Sequence, residues 1–505
     1  MTVTRRSFLS GAASLAAARG LAALPTANGQ PSPLNLQRST AGARLKLGVV
    51  SDIHVGCAGW EQWNEFMGFN VHTFVRALRH FRDAEVDGVV IAGDLADYGM
   101  IYEMEAVAEA WRHVFPDDRL PDGRRVEKLF VTGNHDWEGF LYRNFGKTRY
   151  PDPAALAKAT LQGNMKTAWE RIWNEPYQPV WTKDVKGYTF VGAHWEGFSY
   201  KEYENISFAG ASEAICAAGA KADPKKPFFF IQHPLPKDTN YGPNGWGHDH
   251  GDTTAALSKF PNAFAISGHS HYSLTDEHSL WQGAFTSLSM SSLRYGCAFI
   301  EDLYPDTFED AKSYGAGAEA ANARKMMPRS SFSDARQGSL LTVFDDRIEI
   351  TRHDFLSDEP LADDWVVPWM PSEKGKPFMP SRQKATEKKP FFAVTAKVEV
   401  DRCRRLNRAG EGKDAVAVNF PSATDETASR AMYFEVSAVA EGKSVLTKRV
   451  SAKGFNRARR RQPICTECVF AVDELPRAKP FRFSVTPVAA FGSRGDPITS
   501  EVIEV

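Results

Sequence analysis

An α/β unit of two packed sheets with helices outside, followed by a smaller all-β sandwich, is the fold this sequence predicts. Short apolar, largely β-branched runs at 47–50, 89–92, 129–132, 228–232 and 263–267 are interspersed with stretches of helical periodicity. Each of these runs leads directly into polar residues rich in Asp, Asn and His. From residue 390 the apolar spacing changes to two, the period of a strand with one buried face.

The elements follow in order. Asn70 to Ala84 sets Val71, Phe74, Val75, Leu78 and Phe81 on one helical stripe, and Met104 to Val114 repeats the pattern. Pro153 to Trp173 is expected as one longer helix entered at its proline. Strands are expected at 188–193, 283–289, 338–344 and 348–353, the last two joined by a turn at Asp345-Asp346. Residues 357–389 hold Pro, Lys and Trp without periodicity and are expected as a linker that packs over or leads to the next unit. Phe392, Val394, Ala396, Val398 and Val400 then alternate, as do Met432 to Ala438 and Phe481 to Val485. The closing stretch 481–505 resembles the last hairpin of a fibronectin type III-like sandwich, and 390–505 has the size of one such domain.

The polar stretches after the apolar runs are metal-ligand motifs: Asp52-Ile53-His54, Gly93-Asp94-Leu95-Ala96-Asp97, Gly133-Asn134-His135-Asp136, a lone His233, and Gly268-His269-Ser270-His271. Loops leaving the strand ends of an α/β sheet converge on one rim, where ligands gather. Carboxylates, an amide oxygen and imidazoles meeting there suit hard-to-borderline divalent or trivalent metals. Order and spacing together resemble the calcineurin-like metallophosphoesterase family over about residues 45–355. The resemblance implies a two-sheet αββα metallophosphoesterase sandwich at 45–356. It further implies that Asp52, His54 and His271 hold one metal, that Asn134, His233 and His269 hold the other, and that Asp94 bridges them. The two ions would be Mn, Fe or Zn. His135 matches the family's catalytic histidine that is not a ligand, and in-line hydrolysis of phosphate mono- or diesters without a covalent phosphoenzyme is implied.

The chemistry agrees with the resemblance. Two cations roughly 3.5–4 Å apart can clamp a phosphoryl group beside a bridging hydroxide. His135 is the candidate general acid for the leaving oxygen. Asp136, counted with His135 in the catalytic set, and Asp97 are expected to orient imidazoles through their far ring nitrogens. His72, His80, His113, His278 and His353 are read as structural. His248-Asp249-His250, in a Gly/Asn/Asp-rich loop, is read as pocket wall contacting phosphate rather than a third metal site. His194 either lines the site or caps a strand. The aromatic segments Trp60 to Phe69 and Trp137 to Tyr142 flank motifs and either sandwich a flat leaving group or pack in the core.

Composition bounds the rest. The chain has 505 residues, 43% of them hydrophobic, which is ample for a large core. A formal net charge of −1 provides no global field to recruit nucleic acid, which is not expected as a partner. The expected partner is a small phosphate-ester substrate, with nucleotides and phosphodiesters among the candidates. Thr4-Arg5-Arg6-Ser7-Phe8-Leu9 followed by an Ala-rich apolar stretch resembles a twin-arginine export signal. Residues 1–29 are read as that signal and 30–44 as a leader, so the protein is expected to be periplasmic or secreted, with no membrane span. Six cysteines, at 57, 216, 297, 403, 465 and 468, are too sparse for a disulfide scaffold. Cys465 and Cys468 have metal-knuckle spacing without a second pair, and a disulfide to Cys403 and free thiols both remain open. Arg457, Arg459, Arg460 and Arg461 are read as a solvated loop. A second function class stands beside the enzyme: a non-catalytic envelope binding or adhesion protein on a phosphoesterase scaffold.

Overall fold

The computed structural model describes residues 42–56, 63–197, 210–242, 247–299, 329–332, 335–368, 375–406, 412–423, 430–458, 464–477 and 479–504. The expected export signal, Cys57, Trp60 and Arg459 to Arg461 lie outside these residues.

Alternating burial on two faces builds four layers. The first sheet holds β1 (Leu45–Val50), β2 (Gly88–Ala92) and β3 (Glu127–Val131) side by side and parallel. The second is centred on β5 (Tyr188–Ala193), β6 (Phe228–Ile231), β7 (Ala263–Ser267) and β9 (Thr286–Ser289), again parallel, with β4 (Val180–Val185) and β8 (Leu280–Gln282) antiparallel at its edges. In β2, Val89 and Ile91 pack with Phe74, Leu78 and Phe81 of α1 (Trp63–Asp83) and with Met104 and Trp111 of α2 (Ile101–Val114). The alternate residues Val90 and Ala92 turn the other way, onto Phe229, Ile231, Phe264 and Ile266 of the second sheet. That sheet's outer face, Val191, Phe228, Phe230 and Ala265, is covered by later helices at Ala211–Lys221 and Asp252–Leu257. Strands buried on both faces read as continuous apolar runs, which is the pattern the sequence shows here. The chain is thus an αββα sandwich here.

The chain next contributes a separate antiparallel pair, β10 (Gly296–Phe299) with β11 (Arg329–Phe332), and returns to the first sheet. There β12 (Gln337–Val343) lies antiparallel to β1, followed by β13 (Ile348–Ile350), β14 (His353–Asp354), β15 (Glu359–Pro360) and β16 (Trp365–Val367). The first unit therefore runs beyond 356, because β15 and β16 are strands of its own sheet. Residues 378–383 of the expected linker pack on that unit: Gln282 N–H donates to the Phe378 carbonyl (3.1 Å), and Gln383 Nε2 donates to that of Glu277 (2.8 Å).

Two further expectations are corrected. Pro153 to Trp173 is two helices, Pro153–Ala159 and Met165–Trp173. Between them Thr160 forms a bridge with Met100, Leu161 N–H donates to the Gly99 carbonyl, and Asn164 Nδ2 donates to the freed carbonyls of Ala157 and Thr160. Pairing with the chain that follows the second motif outcompetes helix continuation. The alternating stretch 392–400 is largely irregular, and β17 (Glu399–Leu406) starts only at its end; Phe392 and Val398 pack on the core while Val394 stays in solvent.

The C-terminal region is all antiparallel. One sheet runs β17, β18 (Gly412–Pro421), β21 (Cys465–Ala471); the other runs β20 (Lys443–Ser451), β19 (Tyr433–Ala440), β22 (Arg482–Val488), β23 (Ile498–Thr499). Val416, Val418, Phe470, Phe434, Val436 and Phe483 fill the space between the sheets. Cys216, Cys297, Cys403, Cys465 and Cys468 are free thiols. No described helix is long and apolar enough to cross a membrane.

Candidate metal centre

The motif loops leave the C-terminal ends of β1, β2 and β3 in one sheet and of β6 and β7 in the other, so both sheets feed one rim. Backbone bonds lay the first two loops alongside each other, with Asp52 and His54 N–H donating to the Gly93 and Asp94 carbonyls at 3.0 Å. Side chains tie the loops together: across the sheets Asp52 Oδ2 accepts from His269 N–H (3.0 Å), and within the first sheet Asp94 Oδ1 accepts from His135 N–H (2.9 Å). Asp52, His54, Asp94, His269 and His271 all adopt left-handed backbone, with φ between 48° and 67°. Such conformations cost non-glycine residues about 1–3 kcal/mol each, and they aim these side chains inward. Gly93, at φ 95°, meets a different demand, since a Cβ there would run into the His233 imidazole.

The predicted ligands are brought together in two groups sharing one residue. Asp52, His54, Asp94 and His271 converge, as do Asp94, His233 and His269. His271 Nε2 lies 3.0 Å from Asp52 Oδ1, and His54 Nε2 lies 3.5 Å from Asp94 Oδ2. On the other side His233 Nε2 is 3.2 Å from both Asp94 Oδ2 and Asn134 Oδ1, and 3.2 Å from His269 Nδ1. Asn134 shows its oxygen because its Nδ2 donates to Tyr142 Oη (3.1 Å).

Ring orientation comes from the far nitrogens. His233 Nδ1 is 2.7 Å from the Ala92 carbonyl and His271 Nδ1 is 3.1 Å from that of Tyr295. Only an N–H can donate to a carbonyl, so in each ring Nε2 is the nitrogen left to face the centre. His54 Nδ1 meets Asp97 Oδ1 at 3.1 Å, the orienting role expected of Asp97.

The donor set fits cations. Nitrogens of His54 and His271 face each other at 3.2 Å, as do those of His233 and His269, and buried Asp52 Oδ1 has no hydrogen-bond donor among the described residues. Protons must otherwise satisfy this crowd of electron pairs. Burial opposes charge on His54 and His233, yet the carboxylates Asp52, Asp97 and Asp94 push His54 up to about 9, and Asp94 foremost pushes His233 up to about 9. His269 goes the other way, well below the usual imidazole range, through burial and then the His233 charge. Metal ions would replace those protons.

Other residues separate by what they touch. His135 stands beside His54, ring centroids 4.5 Å apart, and stacks on Tyr142. Its Nδ1 lies 2.7 Å from the Asp97 carbonyl, and burial pushes the ring down to about 4. Asp136 corrects an expectation. Its carboxylate accepts N–H groups of Gly133, Ala96 and Leu95 (2.8, 2.8 and 3.3 Å), so it clasps two motif loops by their backbone instead of orienting an imidazole. Burial, then the Asp94 charge, push it up to about 7.

His194 is a strand-end residue: Thr132 N–H donates to its Nδ1 (3.1 Å), and Trp169 and Tyr177 enclose its ring. His248 faces the Asn240 carbonyl (2.9 Å), and Asp249 gathers Gln232, Lys237, Gly251 and Thr253. That loop is thereby braced internally, and its groups join no metal-type cluster among the described residues. Trp137 packs into the core.

Sequence reasoning missed Arg294. Its guanidinium donates to Asp97 Oδ1, the oxygen that also meets His54, and it helps hold that carboxylate ionised. An arginine outside every motif, in the loop after β9, carries no local signal of that contact.

An αββα sandwich whose strand ends gather a shared-carboxylate donor set defines a metallophosphoesterase-type domain. Residues 45–273 match the model of the calcineurin-like phosphoesterase family, and this part of the chain is a calcineurin-like phosphoesterase domain. Similar solved structures include a dimetal phosphatase from Danio rerio, with 11% identity over 65% of this chain and 99% of that one and a TM-score of 0.36. Another is the purple acid phosphatase from yellow lupin (Lupinus luteus) seeds, with 14% identity over 64% of this chain and 53% of that one and a TM-score of 0.38. None of the curated proteins matches this chain.

Proposed function

We propose that this protein is an exported di-metal phosphoesterase that hydrolyses phosphate mono- or diesters. The observation that carries the reading is the paired donor set sharing Asp94, with His135 beside it but outside both groups. Two Mn, Fe or Zn ions bound there would supply Lewis acidity toward the phosphoryl group and lower the pKa of the attacking water. Asp52, His54 and His271 would hold one ion, Asn134, His233 and His269 the other, and Asp94 both.

The chain's own residues do the rest. His135 has its Nδ1 N–H on the Asp97 carbonyl, which leaves Nε2 to face the ester and to carry the proton given to the leaving oxygen. Burial pushes the free ring down to about 4, so Nε2 takes up that proton from solvent once the anionic phosphate lies beside it, and then passes it to the leaving oxygen. Asp97 and Arg294 orient His54, and Asp136 keeps the second and third loops in register.

Export is part of the proposal and rests on the Arg5-Arg6 stretch. A folded, metal-loaded enzyme is what a twin-arginine route carries. The C-terminal strand order, a first-second-fifth sheet facing a fourth-third-sixth-seventh sheet, supports a fibronectin type III-like sandwich.

The test is hydrolysis of p-nitrophenyl phosphate against bis-p-nitrophenyl phosphate by the mature protein supplied with Mn²⁺, Zn²⁺ or Fe²⁺. Turnover of either that vanishes on chelation is expected, and the preferred ester sorts monoesterase from diesterase. No turnover of these or of a panel of nucleotides, with both metals bound, would favour the binding-protein reading.

A further inference from the structure

His80 and His353 look unremarkable along the chain, one within a helical stripe and the other at the end of a strand. The fold puts them face to face. α1 carries His80 near its C-terminal end, β14 begins with His353, and Asp358 lies in the turn before β15. The two imidazole centroids are 4.5 Å apart with the rings inclined by 30°. Asp358 Oδ1 stands 3.0 Å from His353 Nε2, and its backbone takes a left-handed φ of 58°. One ligand atom from each of the three residues lies within 4.8 Å of the others. Phe355 closes the inner side, 5.6 Å from the His80 ring and 4.8 Å from that of His353.

We propose that His80, His353 and Asp358 form a third metal site, sharing no residue with the strand-end centre, that takes one borderline divalent cation of the Zn²⁺, Ni²⁺ or Cu²⁺ kind. Two imidazoles and one carboxylate are the donors such ions select over Mg²⁺ or Ca²⁺. Ligand bonds of about 2.0–2.2 Å set ligand atoms roughly 3.3 Å apart in a tetrahedron. The His353–Asp358 pair already stands near that spacing, and a swing of the His80 ring completes it. The His80 imidazole makes no hydrogen bond among the described residues, so no protein partner is lost when it turns to a metal. Burial pushes both imidazoles below their usual range, His353 to about 4, so both offer lone pairs at neutral pH. The Asp358 side chain is 60% exposed, which leaves the outer coordination position to water. A bound ion would pin the C-terminal end of α1 to the turn between β14 and β15. The site is independent of the proposed reaction.

The test counts zinc per chain, by mass spectrometry of the metal after equilibrium dialysis, on protein purified without a histidine tag. Wild type is expected to hold one equivalent more than His353→Gln or His80→Gln, and those variants should keep the wild-type phosphatase rate. Asp52→Asn/Asp94→Asn, which disables the strand-end centre, should still bind one equivalent. Equal zinc in wild type and in the His80 and His353 variants overturns the site. Should either histidine variant fail to fold, Asp358→Asn at its exposed turn decides: unchanged zinc affinity overturns the proposal, and weakening of at least ~10-fold supports it.

Discussion

Asp94 is the residue on which both donor groups depend, since its Oδ2 faces His54 and His233 while its Oδ1 takes the His135 N–H. Asp94→Ala is expected to lose bound metal and ester hydrolysis together, as read by metal analysis and initial rates on one preparation. His135 belongs to neither group, so His135→Ala should keep both ions yet lose about 10²–10⁴-fold in rate. The loss should be largest for alkyl esters, whose leaving oxygen most needs a proton. A metal-loaded His135→Ala enzyme that hydrolyses an alkyl phosphate at the wild-type rate would remove it from the mechanism. Arg294 acts at one remove, through Asp97 on His54. Arg294→Met leaves that buried carboxylate without its cation, and metal affinity or rate should fall about 10–100-fold. Arg294→Lys should recover part of it, whereas a purely packing role would let Met match wild type.

At the scale of elements, His194 is one link between the end of β3 and the end of β5, beside the Trp195–Thr132 bonds. Its Nδ1 is the acceptor for Thr132 N–H, so protonation there breaks the bond and charges a buried ring. Burial accordingly pushes its pKa down to about 3. The sign follows from proton counts. Between about 3 and an unfolded value of about 6.5, the unfolded chain binds a proton that the folded chain does not. Stability from this group is therefore full above about pH 6.5 and falls as pH drops toward 3, by up to about 1.4 kcal/mol per pH unit. His194→Gln should be less stable at pH 7 but should have a shallower acid slope. Urea unfolding at pH 7 and pH 5 checks this, and identical slopes would show that His194 is not the titrating group. The broken helix after Pro153 teaches at the same scale. Its apolar spacing allowed one helix, and the contact with Gly99 and Met100, together with the Asn164 side chain on the Ala157 and Thr160 carbonyls, interrupts it.

Within residues 42–504, polar groups as well as apolar contacts cross between the first unit and the C-terminal region. Gln337 of β12 accepts from Ser273 Oγ and Leu274 N–H, just past the last motif, and its Nε2 donates to the Asn456 carbonyl of the C-terminal region (2.9 Å). Arg430 reaches the Leu361 carbonyl, and Glu387 accepts Phe491 and Ser493 N–H at 2.7 and 2.9 Å. Burying such groups unpaired costs about 1–3 kcal/mol each. Gln337→Leu, which strands the Leu274 N–H and the Asn456 carbonyl, should thus lower the unfolding free energy by a few kcal/mol in a urea titration. A loss under about 0.5 kcal/mol would mean that the seam is wet and contributes little.

How much of this was legible in the sequence depends on how far apart the partners lie. The motifs were legible because the chemistry is local: a strand end, a glycine where a side chain packs close (the His233 ring at Gly93, Ser51 and Asp52 at Gly268), then the donors, as in Gly93-Asp94 and Gly268-His269. Apolar runs buried on both faces announced the central strands of both sheets for the same reason. Residues whose role depends on a distant partner gave no such signal. Arg294 needs Asp97, His194 needs Thr132, and His80 needs His353, and nothing in spacing or composition links them. Asp136 was rightly placed beside the centre but wrongly given an imidazole to orient, because a carboxylate two residues from a ligand can turn to a ring or to backbone. The sequence by itself determined the donor set and the αββα order, since hydrophobic period and ligand type are properties of short segments. The tertiary structure alone decided which side chains meet across the loops, because those contacts are set by packing between sheets.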